Sequence, residues 1–261
     1  MIEKEINGIT FLTGKWPLTA DKPTIVFIHG AGDSSIFWKH QIKGLADRIN
    51  VIGIDLPGHG RSTAPGMTTI ADYASIVDGF INDAKIPSPI PCGISMGGAI
   101  TLQLLLEGKF YYQAGIVINS GAKLRVMPMI FDLIDNDFPG YVNSIGLFAV
   151  SEKTDKQKIQ YAIDGLSKIS PEIISNDFKA CNSFDVIKRL EEIFVPVLVM
   201  TASDDNLTPL KYGEFLAENI NGAVHVHIGD AGHMAPVEKP DDVNVAIHNF
   251  SSTLPSPPPG G

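Results

Sequence analysis

A serine between two glycines is the first chemical signal in the chain, in the segment Gly-Ile-Ser-Met-Gly at 93–97. An apolar run from Ile90 precedes it, and a helix-compatible stretch, 99–106, follows it. Side chains at Gly93 or Gly97 would strike neighbouring backbone, so glycines there let a strand turn at once into a helix. Such a turn holds Ser95 in a strained conformation with its hydroxyl exposed. An accidental Gly/Ser-rich turn is the alternative, but the strand before and the helix after favour a nucleophile.

A serine hydroxyl is a weak nucleophile at neutral pH, so it needs a base, and that base needs an orienting acid. His233 follows the strand-like stretch 224–228, and the adjacent Asp204 and Asp205 follow an apolar stretch that predicts a buried parallel strand. Open α/β sheets place their sites at the carboxyl ends of strands. The pattern therefore predicts a triad of Ser95, His233 and one of the two aspartates. Asp230 is a rival acid, although its closeness to His233 on a short loop makes that geometry awkward.

Strand and helix patterns alternate along most of the chain. Asn7-Gly8 predicts a two-residue hairpin, Thr68-Thr69 predicts the cap of a helix that runs to about Asp83, and the segment 36–49 has helical spacing of apolar residues. The alternation predicts a mostly parallel sheet with helices on both faces. It breaks between about 122 and 189, which contains no convincing strand.

Composition excludes several classes of protein. A hydrophobic content of 44% with 19% charged residues is typical of a globular protein. A net charge of -9 without a Lys/Arg cluster argues against nucleic acid or an anionic membrane as partner. The first residues lack an apolar segment, so no secretory signal or membrane span is expected, and two cysteines make no disulfide framework. We expect a cytoplasmic protein.

Five motifs in order give the chain its resemblance to a known family. The chain resembles the α/β-hydrolase superfamily, in the subgroup of small, esterase-like enzymes, from about residue 24 to 250. The motifs are the serine turn at 93–97, His-Gly-Ala-Gly at 29–32, Asp-Leu-Pro-Gly-His-Gly-Arg-Ser at 55–62, Asp-Asn-Leu-Thr-Pro at 205–209 and Gly-His at 232–233.

The resemblance implies an architecture and assigns roles. Residues 1–121 and 190–250 would form the α/β-hydrolase core, and 122–189 a helical cap inserted after the sixth strand. The acid would be Asp205, which stands four residues before Pro209 as in the family. The backbone N–H groups of Met96 and Ala31 would form the oxyanion hole.

Two further expectations concern the cap and the C-terminus. Met127, Phe131 and Phe148 are expected in the substrate pocket, although ordinary core packing is the alternative for each. The Ser/Pro/Gly-rich segment 251–261 is expected to be a disordered tail.

A serine at this turn favours hydrolysis of carboxylic esters with small or medium acyl chains through an acyl-enzyme. That reaction needs a small-molecule ester as partner and implies no cofactor. No metal is expected either, because His225 and His227 lack a third ligand. Carbon–carbon bond hydrolysis of the meta-cleavage type, lactone or thioester hydrolysis, and a hydrolase-like ligand receptor remain alternatives. Monomer and homodimer are both open.

Overall fold

A computed structural model describes residues 1–108 and 112–255. The chain opens with the predicted hairpin, in which β1 (Ile2–Ile6) pairs antiparallel with β2 (Ile9–Thr13). Asn7 and Gly8 form the turn with φ of 49° and 80°. Positive φ at both central residues is what a tight hairpin turn requires, which explains the Asn-Gly pair.

Eight strands form one sheet in the order β1-β2-β4-β3-β5-β6-β7-β8. From β3 to β8 all neighbours are parallel, and β2 is antiparallel to β1 and β4. The remaining strands are β3 (Thr24–Ile28), β4 (Asn50–Ile54), β5 (Pro89–Ile94), β6 (Gly115–Ile118), β7 (Val197–Ala202) and β8 (Val224–Ile228). The predicted α/β-hydrolase fold is confirmed.

Helices cover both faces of the sheet. Alternate residues of β3 belong to different apolar clusters, Ile25 and Phe27 to one and Val26 and Ile28 to the other. The helices are α1 (Lys39–Leu45), α2 (Ile70–Asp83), α3 (Met96–Glu107), α4 (Pro128–Asn136), α5 (Phe138–Phe148), α6 (Lys156–Leu166), α7 (Pro171–Ser183), α8 (Leu210–Asn219), α9 (Ala235–Glu238) and α10 (Pro240–Ser252). Helices α2 and α3 pack on the Val26 face, and α1 and α10 on the Phe27 face.

Two boundaries differ from the sequence prediction. The helix expected over 36–49 is a 3-10 turn, Ser35–Trp38, followed by a shorter α1 that ends at Leu45. Helix α10 continues to Ser252, so the first two residues of the expected disordered tail are helical, and 256–261 lie outside the described residues. The Oγ atoms of both Ser251 and Ser252 donate to His248 O, which supports this last turn.

The interval between β6 and β7 holds α4 to α7, a 3-10 turn at Ile187–Glu192 and, among its described residues, no strand. An isolated bridge between Lys123 and Asp185 joins its two ends. The division into a core and a cap stays a prediction, but α5, α6 and α7 line one cavity together with Ser95 at the carboxyl edge of the sheet. None of the described helices is long and apolar enough to cross a membrane.

Candidate active site

Ser95 lies at the turn from β5 into α3 with φ 53° and ψ −118°. A residue other than glycine rarely adopts positive φ, so this backbone is strained, which is typical of functional positions. Close contacts with neighbouring backbone require glycine at both positions 93 and 97. A Cβ at Gly93 would lie 1.9 Å from Gly97 O, and one at Gly97 would lie 2.2 Å from Ile28 O. The Ser95 N–H donates to Ile118 O over 3.1 Å and ties the turn to β6.

His233 and Asp205 form a buried pair at the same edge of the sheet. His233 Nδ1 lies 2.9 Å from Asp205 Oδ2, and the Asp205 side chain is fully buried. The other carboxylate oxygen accepts the N–H groups of Leu207 and Thr208, each over 2.9 Å. Thr208 Oγ1 donates to Asp205 Oδ2 over 2.7 Å. These contacts leave His233 Nε2 as the ring nitrogen available for a proton from elsewhere.

The electrostatics of Asp205 suit an orienting acid. Its burial opposes ionisation, but the His233 imidazole and the hydrogen bonds from Thr208 outweigh that cost and lower the pKa of the carboxyl. The rival carboxylates bind elsewhere. Asp204 accepts from Ser151 Oγ over 2.5 Å, and Asp230 pairs with Lys153. The structure therefore brings Asp205, and not its neighbours, to the imidazole.

The loop that carries His233 is held by two residues that the sequence interpretation did not single out. Asn119 Nδ2 donates to Gly232 O over 3.1 Å and to His233 O over 3.0 Å. The Glu238 carboxylate accepts the Gly232 N–H over 3.0 Å and the Ser151 N–H over 2.9 Å. Asn119 follows β6 directly, so its place at a strand end was the available signal. Because these bonds fix the backbone on both sides of the imidazole, they position His233.

The Gly-rich loop after β3 has one free N–H among its residues 31–35. Hydrogen bonds within the described chain use the N–H groups of Gly32, Asp33, Ser34 and Ser35, but not that of Ala31. The Met96 N–H lies at the first position of α3, where a helix has no internal acceptor for it. Both groups are therefore available donors for an oxyanion.

A second buried polar network lies beneath this loop. Asp177, on α7, accepts from the Gly32 N–H over 2.8 Å, from His59 Nε2 over 2.7 Å and from the Tyr73 hydroxyl over 2.6 Å. His29 is held by two hydrogen bonds in the same region. Its Nδ1 donates to Gly30 O over 2.8 Å, and its Nε2 accepts from the Leu56 N–H over 3.1 Å. Burial lowers the pKa of His29 to about 3, so this imidazole is neutral.

A cavity of about 100 Å³ joins the strained serine to the helices above it. Its lining includes Ala31, Ser95 and His233 from the sheet side. Helices α5, α6 and α7 contribute mainly apolar side chains, namely Tyr141, Ile145, Ala162, Ile163, Leu166 and Phe178. No hydrogen bond in the described chain joins Ser95 Oγ to His233 Nε2, although both residues face this cavity. Hydrogen bonds between catalytic groups often shorten only when a ligand is present.

The three pocket residues expected from the sequence do not line this cavity. Met127 and Phe148 are 58% and 59% exposed, and Phe131 is only partly buried on α4. The prediction identified the right interval but the wrong side chains. Met127 precedes α4 and Phe148 ends α5, so both point to solvent at helix ends, while Tyr141 and Ile145 on α5 face inward.

A larger cavity of about 620 Å³ lies between β8 and α10, and its lining contains none of Ser95, Asp205 and His233. The described residues contain no group of three or more His, Cys, Asp or Glu side chains that could hold a metal ion. His225 and His227 instead share Thr201 Oγ1, at 2.9 and 3.2 Å.

The chain is similar in sequence and in fold to several known proteins. The chain is 28% identical over 246 residues to 3-oxoadipate enol-lactonase 2 of Acinetobacter baylyi, covering 87% of this chain and 88% of the relative. The solved enol-lactonase from Burkholderia xenovorans has a TM-score of 0.85 at 22% identity, covering 96% of this chain and 100% of that one. An esterase from Exiguobacterium antarcticum has a TM-score of 0.85 at 19% identity, covering 94% and 96%. These two structures share its fold. The family model for the alpha/beta hydrolase family matches residues 25–246, and this chain therefore belongs to that family.

Proposed function

We propose that this hydrolase cleaves carboxylic esters with small acyl groups, through an acyl-enzyme formed on Ser95. One observation carries the proposal. His233 Nδ1 lies 2.9 Å from Asp205 Oδ2, and His233 lines the same cavity as Ser95, whose backbone is held at φ 53°. A buried carboxylate fixes which nitrogen of the imidazole is protonated, and the other nitrogen is then free to act as a base. No cofactor is needed for this chemistry.

In the first half of the reaction, Ser95 Oγ attacks the acyl carbonyl and His233 Nε2 accepts the serine proton. The carbonyl π electrons move to oxygen, and the N–H groups of Ala31 and Met96 stabilise this oxyanion. When the tetrahedral intermediate collapses, the bond to the alcohol breaks and His233 returns the proton to the leaving oxygen. Asp205 stabilises the imidazolium throughout.

In the second half, water repeats these steps against the acyl-enzyme. His233 accepts a proton from the attacking water, the oxyanion forms at the same donors, and collapse releases the carboxylic acid and restores the Ser95 hydroxyl. One ester and one water give one acid and one alcohol, so the cycle balances without an oxidant or reductant.

Cavity size and lining support a small, largely apolar acyl group. A volume of about 100 Å³ is far below the roughly 300–1,000 Å³ of pockets for drug-sized ligands. Most of the lining is aliphatic or aromatic, with Ala149 and Ala162 keeping the space open. Short acyl chains would fill this volume, and long chains would require the helices α5 and α6 to move apart.

Lactone hydrolysis is a second candidate, favoured by the alignment with an enol-lactonase over 87% of this chain. The chemistry at Ser95 is the same, except that the leaving alcohol stays attached to the acyl group. A lactone and an open-chain ester need different volumes beside His233, so comparing their rates of hydrolysis tests the shape of the cavity.

A series of p-nitrophenyl esters from acetate to palmitate, with γ- and δ-lactones assayed in parallel, tests the proposal. We expect the highest kcat/KM for the short esters and its loss by at least ~10³-fold in Ser95→Ala. Ser252→Ala, a serine at the end of α10, is the matched control and should keep full activity. Turnover that survives in Ser95→Ala would remove the assigned nucleophile. Turnover of lactones alone would replace the ester proposal by the second candidate.

A further inference from the structure

One acidic side chain faces the cavity beside the serine, and the reaction described above does not use it. Asp33 follows the Gly-rich loop and belongs to the same cavity lining as Ser95 and His233. Its Oδ1 accepts the Ser34 N–H over 2.7 Å. Within the described residues, Asp33 forms no ion pair and Oδ2 accepts no hydrogen bond, so one carboxyl oxygen is available to a ligand.

Among the described residues, the cavity lining beside Asp33 contains no Lys or Arg to balance its charge. His233, in the same lining, is already paired with Asp205. Burial raises the pKa of Asp33 to about 7, although the hydrogen bond from Ser34 and the nearby His59 act in the opposite direction. At pH 8.5 this carboxyl is therefore mostly a carboxylate in a largely apolar cavity.

We infer that Asp33 selects substrates by the charge of the acyl group seated in this cavity. Acyl groups that carry a carboxylate are disfavoured, and acyl groups that carry a hydrogen-bond donor, such as a hydroxyl or an ammonium, are preferred. This inference rests on the proposed function, since it names the substrate class of that same site. A second carboxylate placed beside Asp33 would meet a like charge in a partly buried, largely apolar site, where screening is weaker than in bulk water. A donor would instead satisfy the free Oδ2 and offset the cost of burying it.

Three ethyl esters of similar size separate the possibilities: ethyl butyrate, ethyl 3-hydroxybutyrate and monoethyl succinate, with released ethanol measured at pH 8.5. We expect the wild type to turn over monoethyl succinate at least ~10-fold less efficiently in kcat/KM than ethyl butyrate, and to prefer the hydroxy ester. Asp33→Asn keeps the shape of the side chain without its charge. It should reduce the ratio of kcat/KM for ethyl butyrate to kcat/KM for monoethyl succinate by about tenfold, equivalent to ~1.4 kcal/mol.

Asp47→Asn, which removes one exposed carboxylate outside the cavity lining, is the matched control and should keep the wild-type ratio. If ethyl butyrate is hydrolysed and Asp33→Asn leaves the ratio unchanged, the inference is overturned while the proposed function stands. If no ester is hydrolysed, the proposed function fails. Binding of the same intact esters to Ser95→Ala and to Ser95→Ala/Asp33→Asn, followed by NMR, then decides the inference, because equal discrimination by both variants would contradict it.

Discussion

The chain contains two buried histidine–aspartate pairs that are alike in chemistry and differ in surroundings. His233 lies 2.9 Å from Asp205, and His59 lies 2.7 Å from Asp177. In the second pair both ring nitrogens are occupied, because His59 Nδ1 also donates to Pro57 O over 2.9 Å. In the first pair only Nδ1 has partners, and the ring faces the cavity that contains Ser95.

This difference determines what each pair can do. An imidazole with both nitrogens donating is a fixed cation that cannot take up another proton. His59 is in this state, since burial disfavours its charge but the Asp177 carboxylate outweighs burial and raises the pKa of His59. An imidazole with one free nitrogen can accept and return a proton. The His233 pair is therefore suited to catalysis, and the His59 pair to joining α7 to the Gly-rich loop.

Replacing His233 by Gln should give the largest effect on the reaction. The variant keeps a polar side chain of similar size but has no base, so kcat for a short ester should fall by about 10⁴-fold or more. Thermal unfolding of the variant checks that it is folded. The comparison variant is His59→Gln, which removes the imidazole of the other pair. Equal losses of activity in the two variants, with both folded, would contradict the division of roles.

The two adjacent aspartates give the next largest contrast. Asp205→Asn should lower kcat by about 10³–10⁴-fold, because an amide would favour the wrong tautomer of His233. Asp204→Asn should lower it less than about threefold, since Asp204 contacts Ser151 and Ser203 instead. Steady-state kinetics with the same ester measure both. A larger loss in Asp204→Asn would reverse the assignment of the acid.

Features determined by short segments could be predicted from the sequence. The Asn7-Gly8 turn, the apolar parallel strands and the constraint on Gly93 all depend on neighbours a few residues away. The candidate triad followed from three strand ends, because parallel strands place their carboxyl ends at one edge. The choice of Asp205 needed the spacing to Pro209 that the family shares.

Contacts between distant segments could not be predicted in this way. Asp177 binds Gly32, which is 145 positions away, and nothing in the local pattern of α7 marks this residue as different from any other helix carboxylate. The faces of α4 and α5 likewise depend on how the helices pack together, so the pocket side chains were misassigned. Asp33 lies one position beyond the Gly-rich segment, and its cavity exists only when α5 and α6 are in place.

The His59 pair should matter more for stability than for chemistry. Asp177→Asn leaves a buried imidazolium without its counterion and should lower the free energy of unfolding by about 3–5 kcal/mol. Asp185→Asn breaks the exposed pair with Lys123 and should lower the free energy of unfolding far less, because solvent screens that pair. Urea unfolding at pH 6.5 measures both. If Asp177→Asn is as stable as Asp185→Asn, the buried pair does not stabilise the junction between α7 and the loop.

The pH dependence of stability gives the smallest and most specific contrast between the two pairs. The pKa of His59 is raised above its unfolded value of 6.5, so the stabilising contribution of this pair is complete below that pH and is lost as pH rises through the folded pKa. The pKa of Asp205 is lowered, so its contribution is present above 3.8 and is lost only in acid. The pKa of Asp33 is raised to about 7, so this carboxyl lowers stability progressively as pH rises from 3.8 to 7, and its destabilising effect is complete above that range. Between pH 7 and 8.5 the free energy of unfolding should therefore fall in the wild type, by at most ~1.4 kcal/mol per pH unit for one proton.

The double variant His59→Gln/Asp177→Asn should show a shallower fall, because neither new side chain titrates. Parallel slopes in the two proteins would mean that His59 is not held as a cation in the folded chain.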